Sequence, residues 1–186
     1  MKPKALPITL LLLAAFNVHA QKKDYIINTK GDTIWCNISN PLLSKIKYTT
    51  ADGQSATVTT ETVSEYYCIG KKIRRRAVYV ENKTEPEFLT VLENGSISLY
   101  EAVATNYNGI SGSSVTVWFI SKDSDQADLI KTSGAIIGKS EKDLKDTLAD
   151  MLKDKKEIYD AYITEDKFSF KQIQKLVHWY NTGEKN

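Results

Sequence analysis

The sequence predicts an α+β fold, in which a mostly antiparallel β-sheet or partly closed barrel is followed by two to three C-terminal helices packed on it. Two observations predict this fold. Over about residues 21–132, short runs of β-branched and aromatic residues alternate with turn residues, as is typical of antiparallel strands. Over about residues 139–184, apolar residues recur roughly every 3.6 positions, which indicates helices. Because no low-complexity linker separates the two parts, we expect a single domain.

Four hairpins are predicted in the β-rich part, each around a turn that contains glycine. Three of them pair residues 25–28 with 33–38, 45–50 with 55–59, and 65–69 with 73–80. The fourth pairs residues 88–92 with 96–103 around Asn94-Gly95. This dipeptide predicts a type I′ turn, because Asn and Gly accept the positive φ angles that such a turn requires. Residues 115–122 predict a further strand.

Helices are predicted in the C-terminal part. The first begins at Ser140, an N-cap residue that is followed by an acidic first turn. The last begins at Ser169, which fits a capping box with Gln172, and ends at Gly183. A short helix over residues 157–163 joins them. The apolar stripes of the first and last helices are Leu144, Leu148, Met151 and Leu152, and Ile173, Leu176, Val177 and Tyr180.

The chain begins with a predicted secretory signal peptide, residues 1–20. Two lysines precede an apolar stretch, residues 5–18, which is shorter than the roughly 20 residues needed to span a bilayer as a helix. Small residues before Gln21 suit cleavage after Ala20. We therefore expect residues 21–186 to be one exported domain, periplasmic or secreted, without a transmembrane segment.

The charge balance argues against nucleic acid as a partner. The chain has 25 Lys and Arg residues against 23 Asp and Glu residues, and Lys2 and Lys4 belong to the predicted signal peptide. The exported domain is therefore formally neutral. It lacks the basic excess that is typical of nucleic-acid-binding domains.

No motif in the sequence predicts a catalytic, cofactor-binding or metal-binding site. His178 is the single histidine of the exported domain, so a zinc site would need it together with Cys36, Cys68 and a carboxylate, without closely spaced ligand pairs. The segment 134–140 is similar to a phosphate-binding P-loop but has three residues between its glycines instead of four. We therefore expect no cofactor, and a non-enzymatic protein is favoured although an enzyme is not excluded.

Cys36 and Cys68 are the two cysteines of the chain. Disulfides persist in exported proteins, so a bridge between them is one interpretation. It would close a loop of about 30 residues and would stabilise the fold by about 3–4 kcal/mol. Two independent buried thiols are the other interpretation, and the sequence does not distinguish the two.

A cluster of five basic residues is a candidate anion or partner site, formed by Lys71, Lys72, Arg74, Arg75 and Arg76. Its ligand would be a lipid headgroup, an acidic glycan or the acidic face of a partner. Strand alternation sends Arg75 to the opposite face from Arg74 and Arg76, which splits the cluster. The alternative is an exposed edge strand whose charges prevent aggregation.

Aromatic residues form a second candidate surface, made of Trp35, Tyr66, Tyr67, Trp118 and Phe119. Neighbours on a strand point to opposite faces, so one ring of each adjacent pair faces away from the inner core. Such outward rings could stack on sugars or on a peptide. The alternative is that they lie beneath the helices.

The strand and turn patterns resemble an uncharacterised family of exported, signal-peptide-bearing proteins from Bacteroidetes-type bacteria. The resemblance rests on residues 24–34 with their "GDT" turn, on 37–38, on 52–53, and on 88–101, which contain the strand "G-x-I-S-L-Y". The family also ends in helices. Cys36 stands where the family pattern has glycine, so a disulfide would be peculiar to this chain. The resemblance implies bacterial export and the fold class, and it supplies no catalytic residue.

The sequence names no function. It favours a soluble exported binding or envelope-accessory protein without a catalytic motif, whose partner would be an envelope lipid, a glycan or another envelope protein. One alternative is a periplasmic hydrolase that uses scattered carboxylates, which meet only in the folded chain. Another is a carrier that holds an apolar ligand inside a partly closed barrel.

Overall fold

The computed structural model describes residues 23–39, 45–81, 83–107, 112–134 and 139–185. The predicted signal peptide, residues 1–20, lies outside the described residues. Residues 135–138, in the middle of the segment 134–140 that is similar to a P-loop, also lie outside them.

Within these ranges the chain forms ten strands followed by three helices, so the predicted α+β class is confirmed. The strands are β1 Asp24–Asn28, β2 Thr33–Ser39, β3 Lys47–Thr50, β4 Ser55–Thr57, β5 Val63–Cys68, β6 Ile73–Val80, β7 Glu87–Glu93, β8 Ile97–Tyr107, β9 Gly112–Lys122 and β10 Gln126–Thr132. The helices are α1 Glu141–Leu152, α2 Lys156–Glu165 and α3 Phe170–Thr182.

The strands form one sheet in the order β10-β9-β8-β7-β6-β5-β1-β2-β3-β4. Neighbouring strands in this order are antiparallel, as predicted. In addition, β10 pairs in parallel with β6 through Gln126 with Tyr79 and Ala127 with Val80. This pairing closes the five strands from β6 through β10 into a ring. The other five strands, β1 through β5, extend from the ring as an open sheet. The sheet is therefore partly ringed and is not a barrel.

The four predicted hairpins are present, and their turns differ in chemistry. Gly31 and Gly53 have φ angles of 91° and 87°, which favour glycine. Lys72, in the turn between β5 and β6, also has a positive φ of 52°. The predicted type I′ turn at Asn94-Gly95 is wrong, since neither residue has a positive φ. A Cβ atom at Gly95 would lie 2.3 Å from Asn181 Cγ, so a close approach to α3 explains this glycine.

The helices begin and end largely where the sequence predicts. Ser140 and Asp143 form a reciprocal capping box at the start of α1. At the start of α3, the Ser169 side chain accepts a hydrogen bond from the backbone N–H of Gln172. The side chain of Gln172 donates to Glu165 instead of returning to the cap, so the predicted capping box is incomplete.

The apolar side chains form three clusters. The largest lies between the three helices and the outer face of the ring, where Ile97, Leu99 and Ile120 are fully buried. The second fills the ring around Tyr100 and Leu89. The third covers one face of the open sheet and consists of Ile26, Cys36, Val63, Tyr66 and Cys68, with partly buried neighbours. On the opposite face of the open sheet, the side chain of Trp35 is 58% exposed.

Candidate functional site

Three aromatic side chains lie side by side on the face of the open sheet that is opposite the cluster of Ile26, Cys36 and Tyr66. We call this face the open face. Tyr25 of β1 pairs in register with Trp35 of β2 on one side and with Tyr67 of β5 on the other. The ring centroids of Tyr25 and Trp35 are 5.7 Å apart, and those of Tyr25 and Tyr67 are 5.6 Å apart. Trp35 is 58% exposed. We call Trp35, Tyr25 and Tyr67 the aromatic row.

Polar side chains lie beside the aromatic row. Asn37 follows Trp35 by two residues on β2, so both side chains are on the open face, and Asn37 pairs in register with Thr49 of β3. The Oγ1 of Thr49 lies 2.7 Å from the Oγ of Ser55 in β4. A cleft of about 440 Å³ is lined by Trp35, Asn37 and Thr49, together with Lys23, Asp24, Cys36, Ala51 and Ile69. The rings of Tyr25 and Tyr67 are stacked with an interplanar angle of 25°, whereas Trp35 meets Tyr25 edge-on at 73°. The surface therefore combines three adjoining aromatic rings with amide and hydroxyl groups.

A buried carboxylate binds the central residue of the aromatic row, Tyr25. Glu65 of β5 is 2% exposed. Its Oε1 accepts hydrogen bonds from the Nε of Arg74 at 2.7 Å and from the hydroxyl of Tyr25 at 3.2 Å. Its Oε2 accepts from the Nε of Arg76 at 2.9 Å. Burial and the negative charge of Glu65 raise the pKa of Tyr25, so the hydroxyl stays protonated as the donor.

The two arginines differ in the number of residues that their guanidinium groups bind. Arg76 Nη2 lies 2.8 Å from Glu65 Oε2 and donates to Asn94 Oδ1 at 2.8 Å, and the guanidinium also bonds Tyr100. Burial by itself would lower the pKa of Arg76, but the interactions with Glu65 and Tyr100 together raise the pKa above its usual value. Arg74 binds Glu65 through Nε, its side chain is 33% exposed, and Glu65 is its one acceptor among the described residues. Arg74 is therefore less fully engaged than Arg76.

The five basic residues predicted as a candidate anion site do not form one surface in the fold. They are Lys71, Lys72, Arg74, Arg75 and Arg76. The two lysines lie in the exposed turn between β5 and β6, and the first and last arginines face Glu65. Arg75 projects from the opposite face and hydrogen-bonds Tyr66. The alternative of a protected edge strand is wrong, because β6 pairs with β5 on one side and with β7 on the other.

Cys36 and Cys68 are free buried thiols in the structure. They lie on β2 and β5, and β1 runs between these strands with Asp24 opposite Cys36. Two strand spacings of about 4.8 Å separate their backbones by about 10 Å, which exceeds the roughly 7 Å limit for Cα atoms in a disulfide. The structure therefore holds the cysteines as two separate thiols, the second of the two interpretations.

We expect both thiols to resist alkylation in the folded protein. Burial and the negative charge of Asp24 raise the pKa of Cys36 to about 11, and the same causes raise the pKa of Cys68. The reactive thiolate is therefore scarce near neutral pH. With iodoacetamide at about pH 8, modification followed by mass spectrometry should be at least about tenfold slower in buffer than in guanidinium chloride. Rapid modification of the folded protein, or cysteines that stay unmodified after unfolding without reductant, would contradict this prediction.

The other aromatic residues that the sequence singled out are covered. Tyr66 is 1% exposed and contacts the Phe88 ring edge-on at 5.1 Å. Trp118 stacks on Phe170 of α3 at 4.3 Å, and Phe119 packs inside the ring of strands. Tyr25, which completes the aromatic row, was missed by the sequence analysis. The strand alternation that places it on a face was visible, but its pairing with β5 was not.

His178 lies on α3, whereas Cys36 and Cys68 lie on β2 and β5. The Nδ1 of His178 is 3.3 Å from the Oε2 of Glu93, so the imidazole contacts β7. In the part of the chain that the structure describes, no three His, Cys, Asp or Glu side chains could hold a metal ion together. None of the helices in the described ranges is long and apolar enough to cross a membrane.

Comparisons with known proteins add no identification to this geometry. Neither the protein-family models, nor the curated proteins, nor the solved structures contain a match to this chain. The resemblance to a family of exported Bacteroidetes-type proteins therefore stays a prediction.

Proposed function

We propose that this chain is an exported, non-catalytic glycan-binding protein of a bacterial envelope, and that the aromatic row is its contact surface. The observation that carries the proposal is the alignment of Trp35, Tyr25 and Tyr67 across three strands, with Trp35 58% exposed. Exposed apolar surface with a polar rim marks interaction sites. Sugar rings have apolar C–H faces that pack on aromatic rings and hydroxyl edges that need polar partners.

The neighbourhood of the row favours a glycan over a lipid surface. Asn37 and Thr49 offer amide and hydroxyl groups beside Trp35, and such groups match the hydroxyl edges of a sugar. A lipid surface would be favoured by a continuous basic patch, but the basic residues of β6 are divided between two faces. Export, on which an envelope role depends, rests on the predicted signal peptide, residues 1–20.

The two alternative functions have less support from the described residues. A carrier for an apolar ligand needs an empty interior, but Leu89, Tyr100 and Phe119 pack together inside the ring. A hydrolase needs a carboxylate that reaches its substrate. Glu65 is 2% exposed and is engaged by two arginines. Asp24, which lines the cleft, accepts hydrogen bonds from the backbone N–H groups of Ile38 and Ile69.

The proposal predicts that Trp35→Ala weakens glycan binding at least about tenfold, which corresponds to about 1.4 kcal/mol. The reason is the loss of the most exposed stacking surface, while the fold loses little because the side chain is 58% exposed. Binding would be measured by affinity electrophoresis of residues 21–186 through gels that contain neutral or acidic bacterial polysaccharides.

Ile163→Ala is the matched control, because Ile163 is 52% exposed and lies on α2, away from the row. This control should bind as the wild type does. The proposal fails if the wild type is retarded by none of the polysaccharides, or if both variants bind equally well.

A further inference from the structure

We infer that the glycan is acidic and that Arg74 binds a carboxylate of one of its sugars. This inference rests on the proposed function, since it assigns the chemical class of the ligand of the aromatic row. It begins from the position of Arg74, which pairs in register with Tyr67 across β5 and β6. Partners in register share a face of the sheet, so Arg74 continues the row by one strand.

The guanidinium of Arg74 is held in one orientation by the fold. Its Nε donates to Glu65 Oε1 at 2.7 Å, which leaves the edge formed by the two Nη atoms. No acceptor other than Glu65 binds the group among the described residues, and the side chain is 33% exposed. A guanidinium edge binds carboxylates through two parallel N–H···O bonds. Because Glu65 fixes the group, little side-chain entropy is lost on binding.

The local charge is complementary to an anion. Glu65 supplies one negative charge, whereas Arg74 and Arg76 supply two positive charges. Arg76 is satisfied by Glu65, Asn94 and Tyr100, so the uncompensated charge is presented at Arg74. A carboxylate there would balance the charge of the network.

The dimensions of the surface suit a chain of sugars. Trp35, Tyr25, Tyr67 and Arg74 occupy four adjacent strands, and strands lie about 4.8 Å apart, so the surface spans about 14 Å. That length exceeds a single sugar ring. The ligand is therefore an oligosaccharide whose rings lie on the aromatic row and whose carboxylate reaches Arg74.

The first test uses the wild type and needs no mutation. Oligomers of galacturonic, glucuronic and mannuronic acid would be compared with their methyl esters, which keep the sugar ring and remove the charge. We expect at least one free acid to bind at least about tenfold tighter than its ester, with the preference falling as salt is added. The inference is overturned if no acid binds, or if every ester binds as well as its acid.

The second test assigns the preference to Arg74. Arg74→Gln should remove the preference for the acid, and Arg74→Lys should restore only part of it, because an ammonium keeps the charge without the two-pronged geometry. Arg75→Gln, on the opposite face of the same strand, is the matched control and should keep the preference. Thermal melting would establish that each variant is folded. An acid preference that survives in folded Arg74→Gln overturns the role of Arg74.

The two proposals can fail separately. If neutral polysaccharides bind and Trp35→Ala abolishes that binding, but no acid is preferred, the aromatic row stays a glycan site and the acidic ligand is wrong. If no glycan of either kind binds, both proposals are wrong.

Discussion

Replacing Glu65 with alanine is expected to lower the free energy of unfolding by about 3–5 kcal/mol. The carboxylate is 2% exposed and accepts hydrogen bonds from Arg74, Arg76 and Tyr25. Its removal leaves two guanidinium groups close together without a counter-charge, and Arg76 is held in a partly buried position. Guanidinium chloride unfolding, followed by circular dichroism, would measure the loss.

An exposed ion pair provides the control for this prediction. Lys156 and Asp160 pair on the surface of α2 at 2.6 Å, with side chains 85% and 53% exposed. Asp160→Ala should change the free energy of unfolding by less than about 1 kcal/mol, because exposed pairs contribute little. If Glu65→Ala were as mild as Asp160→Ala, the buried network would not stabilise the sheet as the structure indicates.

Gly95→Ala is expected to cost about 1–3 kcal/mol, the range found for overpacking. A Cβ atom there would lie 2.3–2.8 Å from three side-chain atoms of Asn181. Asn181 joins α3 to the start of β8, since its Nδ2 donates to the carbonyl of Ile97 at 2.7 Å and its Oδ1 accepts from the N–H of Ile97 at 3.1 Å. The added methyl group would displace this side chain and break both bonds. Urea unfolding of the variant would measure the cost.

A double-mutant cycle separates this contact from the backbone effect of the glycine. In an Asn181→Ala background the clash is absent, so Gly95→Ala should cost much less than it does in the wild type. Gly70→Ala is the matched control, because it has no atom within 4 Å of an added Cβ and no positive φ. An equal cost of Gly95→Ala in both backgrounds would show that the contact with Asn181 is not the cause.

Glu65 connects the stability of the sheet with the candidate site. The same carboxylate binds Tyr25, at the centre of the aromatic row, and Arg74, at its end. A change at Glu65 is therefore expected to alter both the free energy of unfolding and the position of the binding groups. Trp35 lies at the far end of the row and is exposed, so its variant tests binding with little effect on the fold.

The sequence by itself determined the local elements of this protein. Strand alternation and glycine-containing turns are properties of neighbouring residues, and they were enough to predict the hairpins around Gly31 and Gly53. Cap residues and the 3.6-residue period were likewise enough to predict α1 and α3. The alternation also placed Arg75 on the opposite face from its two neighbours, as the structure has it.

Only the tertiary structure decided how these elements meet. The parallel pairing of β10 with β6 closes the ring, and the pairing of β1 with β5 brings Tyr25 to Tyr67 and Glu65. These partners are about 40 or more residues apart in sequence, and a local pattern carries no information on which distant strand becomes a neighbour. The sequence predicted Gly95, in the turn before β8, for a positive φ angle. In the structure, glycine is needed there because a Cβ atom would clash with the side chain of Asn181 on α3. The binding surface proposed here therefore depends on strand order, which is set by packing between distant segments.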